Sequence, residues 1–206
     1  MRRKKLFRQP NRRRLHKMKK TFLITAALLM VGGFAQAEEQ TLPDTLMKPQ
    51  PLAPQATAEI LGADGEPVGG ASFYQGPLGV LAEISVRNLP PGKHGLHMHS
   101  VGTCDHNDHF KSASGHINPT EKEHGYLNPN GPDYGDLPNL IVAADGTAKL
   151  ELFIPQLDIM GDGKATLLDE DGSALMIHEN PDDHKTQPIG GAGARIACGV
   201  VVKLDY

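Results

Sequence analysis

From Ala56 to Leu204 the apolar positions come in short runs, and Gly, Pro, Asn and Asp interrupt them every few residues. Val80 to Asn88 has the clearest pattern: Val80, Ala82, Ile84 and Val86 alternate with other positions, the two-residue period of a strand that buries one face. Ala58 to Leu61, Ala71 to Gln75, Gly95 to His99, Asn139 to Ala143, Thr147 to Phe153, Ser173 to His178 and Ile196 to Leu204 read as further strands. The segment GADGEPVGG reads as the turn after the first of these. Ala144-Asp145-Gly146 reads as a hairpin turn, because Asp-Gly tolerates the positive φ that tight hairpins need. No stretch carries a helical stripe. The chain is therefore expected to be all-β, a Greek-key β-sandwich or barrel of about eight antiparallel strands. Ser100 to Pro138 and Glu179 to Ala194 break the rhythm, and connections that long on a rigid sheet are expected to be functional loops.

The amino-terminal residues follow a different pattern. Met1 to Lys20 holds eleven of the 21 Lys and Arg residues and no acid, Thr21 to Phe34 is apolar, and Ala35-Gln36-Ala37 has the small-x-small form of a cleavage site. Residues 1–37 are thus expected to be a secretory signal peptide, with Met18 as an alternative start, and the apolar run is shorter than the ~20 residues that span a bilayer. Four prolines between Glu38 and Gln55 predict a flexible arm at 38–55, and the domain is expected over 56–206. Loss of the first 37 residues leaves ten basic against 24 acidic side chains, a formal charge of −14. That charge disfavours nucleic acid and anionic membrane as partners. A periplasmic or otherwise secreted location makes the only two cysteines, Cys104 and Cys198, a predicted disulfide.

Nine of the ten histidines fall between His94 and His184. In the stretch HGLHMHSVGTC, strand alternation puts His97 and His99 on one face, while Met98 and His94 take the other. The first pair can chelate a metal, and His94 is expected to bond to backbone. His-x-His alone reads equally well as a solvated strand face. His178 at the end of another strand and His116 at the start of GHINP can bring two more imidazoles to the pair. Four imidazoles with no thiolate suit a copper ion that cycles between two oxidation states.

The ordered motifs HGLHMH, GHINP, HGYLNPNGPDYGDLPN, HENPDD and GGAGARIACGVV make the chain from about Ala56 to Leu204 resemble the copper/zinc superoxide dismutases, in their exported bacterial form. The resemblance implies an enzyme that converts superoxide anion to oxygen and hydrogen peroxide with Cu and Zn as cofactors, protecting exported components. It implies His97, His99, His116 and His178 as copper ligands, and His116 as a bridge to a zinc held also by His124 and Asp136. Where the family usually has a further zinc histidine, nine positions after His124, this chain has Asp133, which can serve because zinc accepts carboxylate. His106 or His109 in the same loop is one alternative, and a zinc site left incomplete is the other. Asp182 is implied to link a copper histidine to a zinc histidine, and Arg195 to face the copper channel and dock the anion. The resemblance implies a catalytic role for His116 as well, as the group that holds and returns a proton. Lys185 and His184 are the expected steering residues. A metal-buffering protein of the same fold is the rival reading, distinguished by whether the loaded protein removes superoxide. The oligomeric state is not legible.

Overall fold

A computed structural model describes residues 53–161 and 165–205. The expected signal peptide and nearly all of the expected arm lie outside the described residues. Ladder bonding begins at Gln55, whose N–H donates to the Phe73 carbonyl at 2.9 Å and whose carbonyl accepts from Leu204 N–H at 3.0 Å.

The described part is all-β. It has β1 (Ala56–Gly62), β2 (Pro67–Gly76), β3 (Gly79–Val86), β4 (Gly92–His94), β5 (Leu96–His99), β6 (Leu140–Val142), β7 (Ala148–Ile154), β8 (Ala174–His178), β9 (Arg195–Val200) and β10 (Val202–Lys203). Seven of them form a curled antiparallel sheet in the order β5-β8-β9-β1-β2-β3-β7, with β10 added on β1, and β4 pairs with β6 in a separate ladder. Since β4 runs through Gly95 into β5 and β6 leads through one turn into β7, that small ladder connects the two edges of the large sheet. Alternation explains the packing. Ala56, Ala58 and Ile60 of β1 and Val80, Ala82, Ile84 and Val86 of β3 face inward with Phe73, Leu96, Met98 and Leu175 in one apolar core. Burial of that face supplies most of the stabilisation, at ~25 cal/mol per Å² of apolar surface.

Three local readings of the sequence are corrected. GADGEPVGG is not all turn, because β2 starts at Pro67 and only Ala63 to Glu66 connect it to β1. Gly69 belongs to the ladder instead: a Cβ there would collide with the carbonyl oxygen of Ser85 on β3, so this glycine serves close strand approach. Ala144-Asp145-Gly146 does turn, with Ala143 N–H bonded to the Thr147 carbonyl at 2.8 Å and Gly146 at φ 80°. The strands on either side of it are not partners, since β6 pairs with β4 and β7 with β3. Ile196 to Leu204 is also split, into β9 and β10, at Val201.

Three connections rest on this frame. The segment 100–139 contains two 3-10 turns, His106–Asp108 and Lys111–Ala113, and no strand. Segment 179–194 is without strands as well. Segment 155–173, which the sequence pattern did not single out, inserts Leu157, Ile159 and Leu167 into the main core. Cys104 and Cys198 are joined, with Cα atoms 5.6 Å apart, and the disulfide ties the first long loop to β9. Phe110, Ala113, Ala174 and Met176 pack beneath it as a second small core.

Candidate metal centre

All four residues of β5 are buried. Leu96 and Met98 enter the core, and His97 and His99 take the opposite parity. One side of β5 pairs with β8, and two stretches of the first long loop, around His116 and around Asp136, run along the other. Ser100 N–H donates to Gly115 O at 2.9 Å, Ile117 N–H to Met98 O at 2.9 Å, and Met98 N–H to Gly135 O at 2.8 Å. These bonds set His116 opposite His99 and Asp136 opposite His97 as isolated bridges. Backbone pairing thus gathers side chains that are far apart in sequence. His178 arrives from the end of β8, beside Arg195 at the start of β9.

Four rings share one arrangement. His97 Nε2 bonds to Asp182 Oδ2 at 3.0 Å, His99 Nδ1 to the Ser114 carbonyl at 2.9 Å, His178 Nδ1 to the Gly193 carbonyl at 3.1 Å, and His116 Nδ1 to Asp133 Oδ2 at 2.9 Å. The other nitrogen of each ring, Nδ1 of His97 and Nε2 of His99, His116 and His178, is buried and lacks a hydrogen-bond partner. His97, His99 and His178 offer nitrogens within 4.8 Å of one another, and the His116 ring lies 4.2 Å from that of His97. Buried polar atoms are normally satisfied, so these three convergent orphans, with a fourth on the adjoining His116 ring, fit a cation with a preference for imidazole. Burial lowers the pKa of His97, of His99 (well below the ordinary value) and of His178 (to about 3), which keeps these rings neutral and their lone pairs free. His94 differs: both of its ring nitrogens face backbone carbonyls, those of His178 and Pro90, at 2.8 Å.

On the far side of His116 the donors change. His116, His124, Asp133 and Asp136 form a second group with ligand atoms within 4.8 Å. Asp133 Oδ1 accepts from Gly135 N–H at 2.9 Å, and Asp136 Oδ2 accepts from Gly125 N–H at 2.7 Å and Asp133 N–H at 3.0 Å. Each carboxylate therefore has one oxygen fixed by backbone and one turned to an imidazole. Burial alone would push Asp136 upward, but hydrogen bonds from His116 and His124 hold it well below the usual carboxylate range. Burial likewise opposes charge on His124, yet hydrogen bonds to Asp136 and Asp182 raise it to about 10. The donor set fits zinc, which accepts imidazole and carboxylate alike. His106 is elsewhere, against the turn at Gly65, and neither it nor His109 belongs to a metal-capable group among the described residues.

Asp182 connects the two groups through His97 Nε2 on one oxygen and His124 Nε2, at 3.0 Å, on the other. Gly190, at φ 61°, is packed so closely on this carboxylate that any Cβ would collide with it. Asn139 fixes the Asp182 backbone twice, donating to its carbonyl and accepting from its N–H, both at 2.8 Å. The sequence reading gave Asn139 no role, although it ends the motif HGYLNPNGPDYGDLPN.

Arg195 opens on a cavity of about 470 Å³ lined by His99, His116, Lys122, His124, Asp133 and Gln187 among others. Its two terminal nitrogens donate to the Phe110 and Ser114 carbonyls at 2.5 Å, which leaves its remaining N–H groups free to meet an anion. Ser114 O thus serves both Arg195 and His99. Ser114 sits at φ 63°, ψ −145° and Phe110 at φ 59°, backbone conformations that L-residues rarely take. The expected steering residues are placed differently: Lys185 is not among the cavity residues, and His184 packs against Tyr126 with ring centroids 5.4 Å apart. Lys122 is the lysine on the cavity wall.

The family profile described as copper/zinc superoxide dismutase (SODC) matches residues 68–201. The chain is 48% identical over 148 residues to a superoxide dismutase [Cu-Zn] of Caulobacter vibrioides, covering 71% of this chain and 84% of that protein. Among solved structures it is similar to a SOD-like protein from Bacillus subtilis, with a TM-score of 0.68 and 40% identity over 71% of this chain and 97% of that one. It is also similar to the Cu/Zn superoxide dismutase from Brucella abortus, with a TM-score of 0.55 and 30% identity over 71% and 99%.

Proposed function

The chain belongs to the copper/zinc superoxide dismutase family and is an oxidoreductase acting on superoxide with copper and zinc as cofactors, and from that premise we propose how its own residues divide the work. His97, His99, His116 and His178 hold copper; His116, His124, Asp133 and Asp136 hold zinc. The observation that carries this assignment is the set of four buried, unpartnered ring nitrogens, each on a ring whose other nitrogen is already fixed. Copper, when bound, supplies the one-electron couple through which one superoxide leaves as oxygen and a second, with two protons, as hydrogen peroxide.

The remaining steps belong to the protein. Arg195 offers a permanent positive charge at the cavity, and its two backbone anchors keep the guanidinium beside His99, where a small anion docks. His116 lies between the two groups, with Nδ1 facing the carboxylates and Nε2 facing the imidazoles, so Nε2 is the atom at which a proton is held and returned next to the cavity. Asp182 fixes the orientation of His97 and His124 together. We further infer export, from the pattern of Met1 to Ala37 together with the Cys104–Cys198 disulfide, and with it protection of exported components.

Pulse radiolysis of the copper- and zinc-loaded protein tests the reading. Superoxide decay should accelerate in proportion to protein added. Decay at the spontaneous rate in a sample that contains both metals would favour the metal-buffering alternative.

A further inference from the structure

The two groups of donors on either side of His116 are chemically unlike, and Asp133 makes them so. One offers four imidazole nitrogens. The other offers two imidazoles and two carboxylates, with one oxygen of each carboxylate turned inward, Asp133 Oδ2 at 2.9 Å from His116 Nδ1 and Asp136 Oδ1 at 2.5 Å from His124 Nδ1. The second oxygen of each is committed to backbone N–H donors. Neither carboxylate can add a further donor without losing those bonds, so the group presents four donor atoms, the number that structural zinc takes.

Two adjacent sites that share a ring face a sorting problem. A given site holds copper(II) more tightly than zinc, and the margin is wider for imidazole nitrogen than for carboxylate oxygen, so a second site rich in imidazole is the one most open to invasion by copper. Imidazole suits copper well and carboxylate less, whereas zinc accepts both. Asp133 is 4% exposed, so its charge is screened far less than that of a surface carboxylate.

We propose that Asp133 is a metal-sorting residue: by supplying a carboxylate where an imidazole would make the second site copper-like, it confines copper to the His97, His99, His116 and His178 site. The inference rests on the assignment of donors made above and deepens it. Asp133 acts on metal identity at the neighbouring site and does not touch the substrate.

The test is copper loading without zinc. Metal-free protein is titrated with Cu(II) alone, desalted, and measured for copper per chain and by electron paramagnetic resonance. Wild type should retain about one copper per chain with the spectrum of an isolated centre. Asp133→His should retain about two, with a spectrum broadened or diminished by coupling through the shared His116 ring. Asp133→Asn, nearly the same shape without the charge, should still retain about one copper and lose zinc affinity at least about tenfold, the lower end of what even a group that only orients a ligand contributes. Two coppers with a coupled spectrum in wild type or in Asp133→Asn would overturn the proposal, as would a folded Asp133→His that stays at one. If Asp133→His does not fold, wild type and Asp133→Asn decide. A wild type that binds no copper at all would instead defeat the copper-site assignment, so the two failures are distinguishable.

Discussion

On one side of His116, the rings of His97, His99 and His178 are buried, neutral, and backed by Asp182 or by backbone carbonyls. On the other, His124 lies between two carboxylates that hold its proton to about pH 10. The first half is ready for a metal as it stands. The second is held together by charge pairs that a metal must replace. The difference shows where the fold stores its order: strands and carbonyls build the first half, and the long loop's own acids build the second.

The largest expected effect separates the halves outright. His178→Ala removes a donor from the imidazole half, and the loaded variant should lose copper and let superoxide decay at close to the spontaneous rate while keeping zinc. Metal analysis beside pulse radiolysis reads this. Loss of both metals would mean that the two halves fold as one unit and that the contrast between them is false.

Next comes the covalent anchor common to both. The disulfide closes a loop of 94 positions between Cys104 and Cys198 and fixes the loop that carries Ser114, His116 and the acids to β9. Replacing both cysteines with serine should cost about 2–5 kcal/mol, the usual range for a small exported domain. Denaturant melts of metal-free and loaded protein would measure it. Loading should raise parent and variant alike, because it adds its own linkage term to the native state of each, so the cost should persist in full unless loss of the disulfide also weakens metal binding.

Asp182→Asn tests the one side chain that belongs to both halves. A carboxylate accepts from His97 Nε2 and His124 Nε2 together, whereas an amide has a single oxygen to offer. Metal retention should fall about 10- to 100-fold on the half that loses its bond. Competitive chelation of copper and zinc in parallel shows which half that is. Equal retention by variant and parent would leave Asp182 as a loop cap only, held by Asn139 and the His184 N–H.

Parity along β5 was legible from sequence: His97 and His99 share a face, His94 does not, and the period over Val80 to Val86 matches the buried face of β3. Other features were not legible, for reasons the structure makes clear. Gly69 and Gly70 resemble turn residues because glycine marks both sharp turns and close strand contacts. The Asp-Gly turn announces itself locally, but strand pairing is decided by distant partners, so β6 and β7 separate. Lys122 reaches the cavity only because the loop folds back between Asn118 and Lys122, with Asn118 bonded to Lys122 N–H at 3.0 Å and to its carbonyl at 2.7 Å. Ser114 contributes a carbonyl, and a carbonyl leaves no trace in residue type.

Lys122 leads to a smaller prediction. As the lysine on the cavity wall, it should draw the anion inward against the chain's overall negative charge, over a range limited by the ~8 Å screening length at physiological salt. Lys122→Ala should slow dismutation by no more than about a few-fold and flatten its dependence on ionic strength, since one charge is a fraction of a steering field. Lys185→Ala should leave both unchanged. The reverse result would return the steering role to the loop after His178.

The smallest effect probes how far the imidazole half depends on backbone alone. Ser114 occupies φ 63°, ψ −145°, a region close to one that only glycine enters without strain. Its hydroxyl makes none of the bonds that matter here; its carbonyl makes two, to His99 and to Arg195. Ser114→Gly relieves the strained backbone but adds conformational freedom to the unfolded chain, an opposing cost of about 0.4–1 kcal/mol. The balance should favour the variant by about 1 kcal/mol or less, with dismutation and copper content unchanged. Thermal melts and pulse radiolysis on the same preparation measure both. A variant more stable than the parent yet slower would show that the serine side chain, and not only its carbonyl, keeps Arg195 and His99 in register, and the division between a backbone-built half and an acid-built half would have to be redrawn.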